Sequence, residues 1–283
     1  MGMWVNPEQN LIHINFDEIL EIAQKGIRRT ALFLAIGTNA SKDVSHDDLK
    51  LESKFVMHLY PYASDKETLN QYGESFAQWV TANALRELTE TFSVFLDEFY
   101  LTCYFIVNRG EDGFNVDFEK RKKIIINSSP YFKVQALYSD FGFELDFVKS
   151  LSTLHTARNC LSHSQGIVRE KHLNEDGRFT VRWKAMGAFL KEPNKEEYEL
   201  PLHGSFDPIH LPEGGESYAK IVGREKHFQE GQVIHFEEHE LHEICWTFIM
   251  ATKNTAAQIS NFAERYNLKL NEKDTSTPPH RRP

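Results

Sequence analysis

Phe147-Val148-Lys149-Ser150-Leu151-Ser152-Thr153-Leu154-His155-Thr156-Ala157-Arg158-Asn159-Cys160-Leu161-Ser162-His163-Ser164-Gln165-Gly166 is the stretch on which the reading of this chain turns. At 100° per residue, Phe147, Leu151, Leu154 and Leu161 share one stripe, and Gly166 stands where a helix commonly ends. The spacing predicts a helix from about Glu144 to Ser164. Arg158 projects within about 20° of Phe147, inside the apolar stripe. A buried unpaired cation is costly, so Arg158 either pairs with an internal carboxylate or faces a pocket that receives an anion. An arginine bridging packed helices is an ordinary core device, and both readings stand at this point.

His163 projects about 140° from Arg158, but it occupies the last turn, where the helix loosens and the two side chains can converge. Histidine exchanges protons near neutral pH, which suits a general acid or base, although a lone histidine at a helix end also serves as a cap. Asn159 lies one turn before His163, placed either to orient its ring or to bind a phosphate oxygen. Ser162 and Cys160 are less specific.

Outward from this segment the pattern remains mostly helical. Phe16, Ile19, Leu20, Ala23, Ile27, Ala31, Leu34 and Ala35 recur at three- and four-residue steps, predicting a helix over Asn15 to Ile36 that ends at Gly37-Thr38-Asn39. A longer helix is expected from Glu74 to Asn108, with Leu85, Leu88, Phe92, Phe95, Phe99, Thr102 and Ile106 along one seam and Gly110 and Gly113 beyond it. Asp117 to Ile126 carries the basic run Lys120-Arg121-Lys122-Lys123, for which a solvated helix face is the plain reading. Ser129-Pro130 reads as an N-cap followed by a first-turn proline, opening a short helix to Tyr138. Leu241 to Tyr266 restores helical spacing, predicting a closing helix over 238–266. Between the two, Phe179 to Lys184 alternates with period two, and Glu197 to Leu200 and Gln232 to Phe236 are strand-like, so a small β-containing insertion is expected. Its loops, rich in Pro193, Pro201, Pro208, Pro212 and Gly214-Gly215, should be long and exposed. Phe55 to Tyr60 fits a strand or an extended packing segment equally well.

Composition narrows the function classes. With 41% hydrophobic residues and 21 phenylalanines, the 283-residue chain can bury a substantial core. Its net charge of −9 argues against non-specific coating of nucleic acid, so any such contact has to be local. Cys103, Cys160 and Cys245 lie in apolar runs without zinc or disulfide spacing, which predicts buried reduced thiols. No signal-peptide pattern and no membrane-length apolar run is present, so no membrane association and a cytoplasmic location are expected. His235, His239 and His242 with Glu238 and Glu243 form a competing constellation, but a polar first helical turn explains the same residues and no metal is expected there. Phosphate-binding loops, dinucleotide fingerprints, Gly-x-Ser-x-Gly elbows and His-Glu-x-x-His pairs do not occur.

Arg158-Asn159-Cys160-Leu161-Ser162-His163 resembles the Arg-polar-x-x-x-His signature of HEPN (higher eukaryotes and prokaryotes nucleotide-binding) domains, at the C-terminal end of a core helix preceded by a long amphipathic helix. The resemblance covers about Glu74 to Gly166 plus the closing helix; the β-containing insertion lies outside the common HEPN core. It implies a mainly α, HEPN-like helical bundle, with the insertion between the motif helix and the last helix. The corresponding layout is an N-terminal packed segment over 1–70, the core over 71–170, the insertion over 171–237, the closing helix over 238–266 and a tail over 267–283. The resemblance further implies a metal-independent endoribonuclease without cofactors, acting on RNA in toxin–antitoxin or antiviral-defence settings. His163 would exchange the proton, Arg158 would stabilise phosphoryl charge, and Asn159 would position a phosphoryl oxygen. Such sites usually form where two copies of the motif meet, which implies a homodimer and leaves room for a protein antitoxin. Ser162, Arg169 and Lys171 are then candidate substrate contacts. A HEPN-like scaffold without catalysis, in which Arg158 is structural and the insertion engages a partner, is the alternative.

Overall fold

The computed structural model describes residues 3–6, 11–45, 65–108, 117–193, 195–200 and 214–268. In chain order the elements are β1 (Met3–Asn6), β2 (Leu11–Ile14), α1 (Phe16–Ser41), α2 (Lys66–Asn108), α3 (Phe118–Ile126), α4 (Pro130–Phe141), α5 (Val148–His163), β3 (Phe179–Lys191), β4 (Tyr198–Leu200), β5 (Glu216–Phe228), α6 (Glu238–Ala257) and α7 (Ile259–Arg265). The fold is mainly helical, with a three-stranded antiparallel sheet ordered β4-β3-β5 and a separate β1–β2 hairpin.

The 43-residue α2 is the central element, reaching about 65 Å at 1.5 Å per residue. It begins earlier than its apolar seam suggests because Asp65 accepts from the Thr68 amide at 2.8 Å, capping a polar first turn. Each helix from α1 to α6 packs on it or on a neighbour that does. Phe92, Phe95 and Phe99 are buried; Phe92 meets Phe248 of α6 at 5.5 Å, and Phe99 meets Phe143 at 5.1 Å and Phe16 of α1 at 5.8 Å between ring centroids. Helix α1 runs antiparallel to α2, as shown by the facing pairs Gly26 with Thr91 and Gly37 with Val80. A Cβ on Gly26 would lie 2.1 Å from Thr91 Cγ2, so the missing side chain is what permits this spacing. Lys133 of α4 is buried, donating to Ser93 Oγ and pairing with Asp97 of α2, each at 2.7 Å. Ser129 caps α4 by accepting from the Phe132 amide, with Pro130 in the first turn, as its sequence predicts.

The sheet is a layer against the bundle. Val168, Phe179, Val181, Trp183, Phe228 and Ile234 join the same buried cluster as the α2 phenylalanines. Beyond its short pairing with β4, the exposed backbone of β3 is met by two helix hydroxyls. Thr153 of α5 accepts from Arg182 N at 2.9 Å, and Thr247 of α6 accepts from Lys184 N at 3.0 Å and donates to Lys184 O at 2.9 Å. At the base of the sheet Ile167 bridges Val233, with Val168 N donating to Gln232 O and Ile234 N to Gly166 O.

Several expectations are corrected. Gln232 to Phe236 contributes only that bridge, and the long partner of β3 is β5, whose more sheltered residues Lys220, Val222, Arg224 and Lys226 are mostly charged, so its burial alternation is not matched by an apolar–polar alternation in sequence. The closing helix divides at Gln258, whose side chain accepts from Glu144 N at 2.7 Å across the fold and donates to Glu144 O. Helix α5 starts at Val148, not near Glu144. The hairpin at Met3 to Ile14 was not expected. Phe55 to Tyr60, Gly110, Gly113, Pro201, Pro208, Pro212 and the tail beyond Leu268 lie outside the described residues.

Candidate functional site

Helix α5 presents the Arg158 to His163 segment on its last two turns. Leu151, Leu154, Ala157, Cys160 and Leu161 are buried, so Ala157 and Cys160 pull the buried face away from Arg158. Arg158 therefore sits at the margin of the stripe rather than its middle, with a side chain 20% exposed. Its Nη2 donates to Glu90 Oε1 of α2 at 2.8 Å, and the same oxygen accepts from Arg86 Nε at 2.9 Å. Of the two readings open for Arg158, the carboxylate partner is the one observed in the single chain. Glu90 is 46% exposed, so the pair is a half-solvated one, worth about 1 kcal/mol or less.

Arg158 Nη1 donates to Asn159 Oδ1 at 2.9 Å, and Asn159 Nδ2 lies 3.2 Å from His155 Nε2. Proton placement follows in order. The guanidinium has only donors and keeps its charge, so the Asn159 oxygen faces it and the amide nitrogen faces the imidazole. His155 Nε2 must then be the unprotonated acceptor, leaving the ring proton on Nδ1, which is buried without a hydrogen-bond partner among the described residues. Burial, aided by the Arg158 charge, holds the His155 pKa below its ordinary value, consistent with a neutral ring. Sequence reasoning passed over His155. The signal was the four-residue spacing His155, Asn159, His163, which drifts only about 40° per step around a helix.

In the single chain the Asn159 side chain contacts Arg158 and His155 rather than the His163 ring. Ser162 and His163 are exposed on the last turn, and the His163 side chain makes no hydrogen bond or ion pair with another described residue. Within one chain no hydrogen bond joins Arg158 to His163. The turn at the helix end is set by Gly166 at φ 75°, whose amide donates to Cys160 O. Arg169 and Lys171, both exposed, follow at once in a short turn. Burial pushes the Cys160 thiol up, and the charges of Lys171 and Arg169 oppose this. Cys160 itself donates to Ile167 O at 3.2 Å.

Of the basic run in α3, Arg121 is engaged by Tyr100 and Asp140, while Lys120 and Lys123 are exposed. The His235 constellation is divided among other partners: Glu243 accepts from Trp183 Nε1 at 2.7 Å, and Glu238 pairs with Lys42. No group of three or more histidine, cysteine or acidic side chains among the described residues is arranged to hold a metal ion. Cys103, Cys160 and Cys245 are buried free thiols, and burial pushes the Cys245 thiol up to about 11. No helix among the described residues is long and apolar enough to cross a membrane.

Beside the site, α1 and α2 form an apolar groove of 430 Å³ whose lining includes Phe33, Ile36, Phe76 and Trp79. Phe33 and Trp79 are 61% and 62% exposed, and Glu90, the partner of Arg158, also lines the groove. Compared with protein-family models, with curated proteins and with solved structures, the chain matches none.

Proposed function

We propose that the chain is a HEPN-type, metal-independent endoribonuclease whose site is completed by a second copy. The observation that carries this reading is the arrangement at the end of α5: Arg158 held by Glu90 and Asn159 at the margin of the buried face, followed in the last turn by the exposed His163. A ribose 2′-hydroxyl attacks the adjacent phosphorus, the bond to the 5′-oxygen breaks, and a cyclic phosphate and a 5′-hydroxyl leave. One His163 takes the 2′-proton and the His163 of the second copy protonates the departing 5′-oxygen. Arg158 stabilises charge developing on the phosphoryl oxygens. Arg169, Lys171 and Ser162 hold the flanking strand, which gives an acidic protein a local basic groove. The apolar groove ending at Glu90 supplies the seat for the second copy, because a chain docked there abuts the partner of Arg158. A toxin or antiviral-defence effector restrained by a protein partner in the cytoplasm is the setting in which such an activity belongs.

The test is RNA cleavage by purified protein in excess chelator. Arg158→Ala and His163→Ala are each expected to lower the rate by about 100-fold or more while circular dichroism stays unchanged. Unchanged cleavage in both variants removes the assignment. The second reading, a non-catalytic scaffold, is favoured by one feature: Glu90 neutralises Arg158 in the single chain. It requires a stable co-purifying protein complex that survives both substitutions.

A further inference from the structure

The geometry points to His155 as the positioning residue of this site: its ring, protonated at Nδ1, accepts from the Asn159 amide and so holds the Asn159 carbonyl oxygen against the Arg158 guanidinium. Three side chains on one face of α5 form a relay in which each proton placement fixes the next. Arg158 can only donate, Asn159 can donate from one end and accept at the other, and the ring of His155 must therefore accept. Reversal of the Asn159 amide would set donor against donor at Arg158. A proton on His155 Nε2 would force that reversal, so the half-buried position of His155 protects the aim of Arg158. The charge acting on the ring is that of Arg158 on its own helix, while Glu90 of α2 accepts from both Arg158 and Arg86.

Any effect on cleavage rests on the ribonuclease reading, whereas the proton placement stands without it, and the experiment separates the two. In the full-length protein labelled with nitrogen-15 histidine at neutral pH, the ring of His155, assigned by its loss in His155→Gln, is expected to carry its proton on Nδ1 with an unprotonated Nε2. An Nε2-protonated or doubly protonated ring overturns the proposal. In Asn159→Asp an acceptor oxygen replaces the amide nitrogen, and the same spectrum is expected to show a proton on His155 Nε2; an unaltered ring overturns the contact. For cleavage, His155→Gln retains an acceptor within reach of Asn159 and is expected to stay close to wild type. His155→Leu is expected to lose about tenfold or more in kcat with KM for the RNA little changed. Equal losses in both variants reduce His155 to packing and overturn its positioning role. If the wild-type protein cleaves no RNA, the ribonuclease reading falls, and the two spectra still decide the relay.

Discussion

Arg158 of α5 and Arg86 of α2 share one oxygen of Glu90, at 2.8 and 2.9 Å. The carboxylate holds Arg158 in place and also occupies the position that an incoming anion would contest. Replacing its charge while keeping its shape, in Glu90→Gln, frees the guanidinium. On the proposed ribonuclease reading, affinity for a non-cleavable RNA oligonucleotide is expected to rise by about threefold to tenfold in fluorescence anisotropy, with stability changed by about 1 kcal/mol or less. Weaker binding would show that Glu90 acts mainly by orienting Arg158.

Thr247 is fully buried and serves both backbone groups of Lys184 with one hydroxyl. Thr247→Val keeps the volume and leaves the Lys184 amide without its acceptor. A loss of about 1–3 kcal/mol is expected in urea denaturation, with faster hydrogen exchange at the Lys184 amide than elsewhere in β3. An unchanged exchange rate at that amide would count against the hydroxyl as its protecting group.

Gly26 of α1 packs directly against Thr91 of α2. Alanine is the better helix former by about 1 kcal/mol, yet Gly26→Ala is expected to destabilise by about 1–3 kcal/mol because its methyl group meets Thr91. Adding Thr91→Ala makes room, so the double variant should recover most of the lost Tm. Failure of that rescue would place the strain elsewhere along the pair.

Asp140 gives a pH dependence of definite sign. Burial pushes its carboxyl up, but hydrogen bonds from Tyr100 and Ser139 and the charge and hydrogen bond of Arg121 outweigh this and hold it below the ordinary 3.8. A depressed carboxyl contributes stability that is fully present above the ordinary value and is lost as pH falls through the folded one. The stability difference between wild type and Asp140→Asn, read from chemical denaturation, is therefore expected to shrink as the buffer is acidified below 3.8. A difference that is constant through that range would assign the carboxylate no part in acid unfolding.

The helices were legible where apolar spacing and end signals agreed. The seam from Leu85 to Ile106, the Ser129-Pro130 cap and the stop at Gly166 all read from local sequence. Strand β5 was not legible, because its more sheltered face carries Lys220, Arg224 and Lys226 while Ile221 lies on the exposed one, so polarity does not follow burial along the strand. The break at Gln258 depends on Glu144, far away in sequence, and no local signal marks it. At the candidate site, Arg158 and Asn159 could be singled out by pattern. Glu90 could not, since its role exists only once α2 and α5 pack, and His155 lies one turn before Asn159, outside the Arg-to-His segment.

The bridge between Ile167 and Val233 draws the chain leaving the end of α5 against the chain about to enter α6. Everything beyond that neck is a closed excursion, and the entropy of closing such a loop grows only slowly with its length. Because Phe179, Val181, Trp183 and Phe228 beyond the neck complete the buried cluster, the excursion is part of the core, and removing it would uncover α5 and α6.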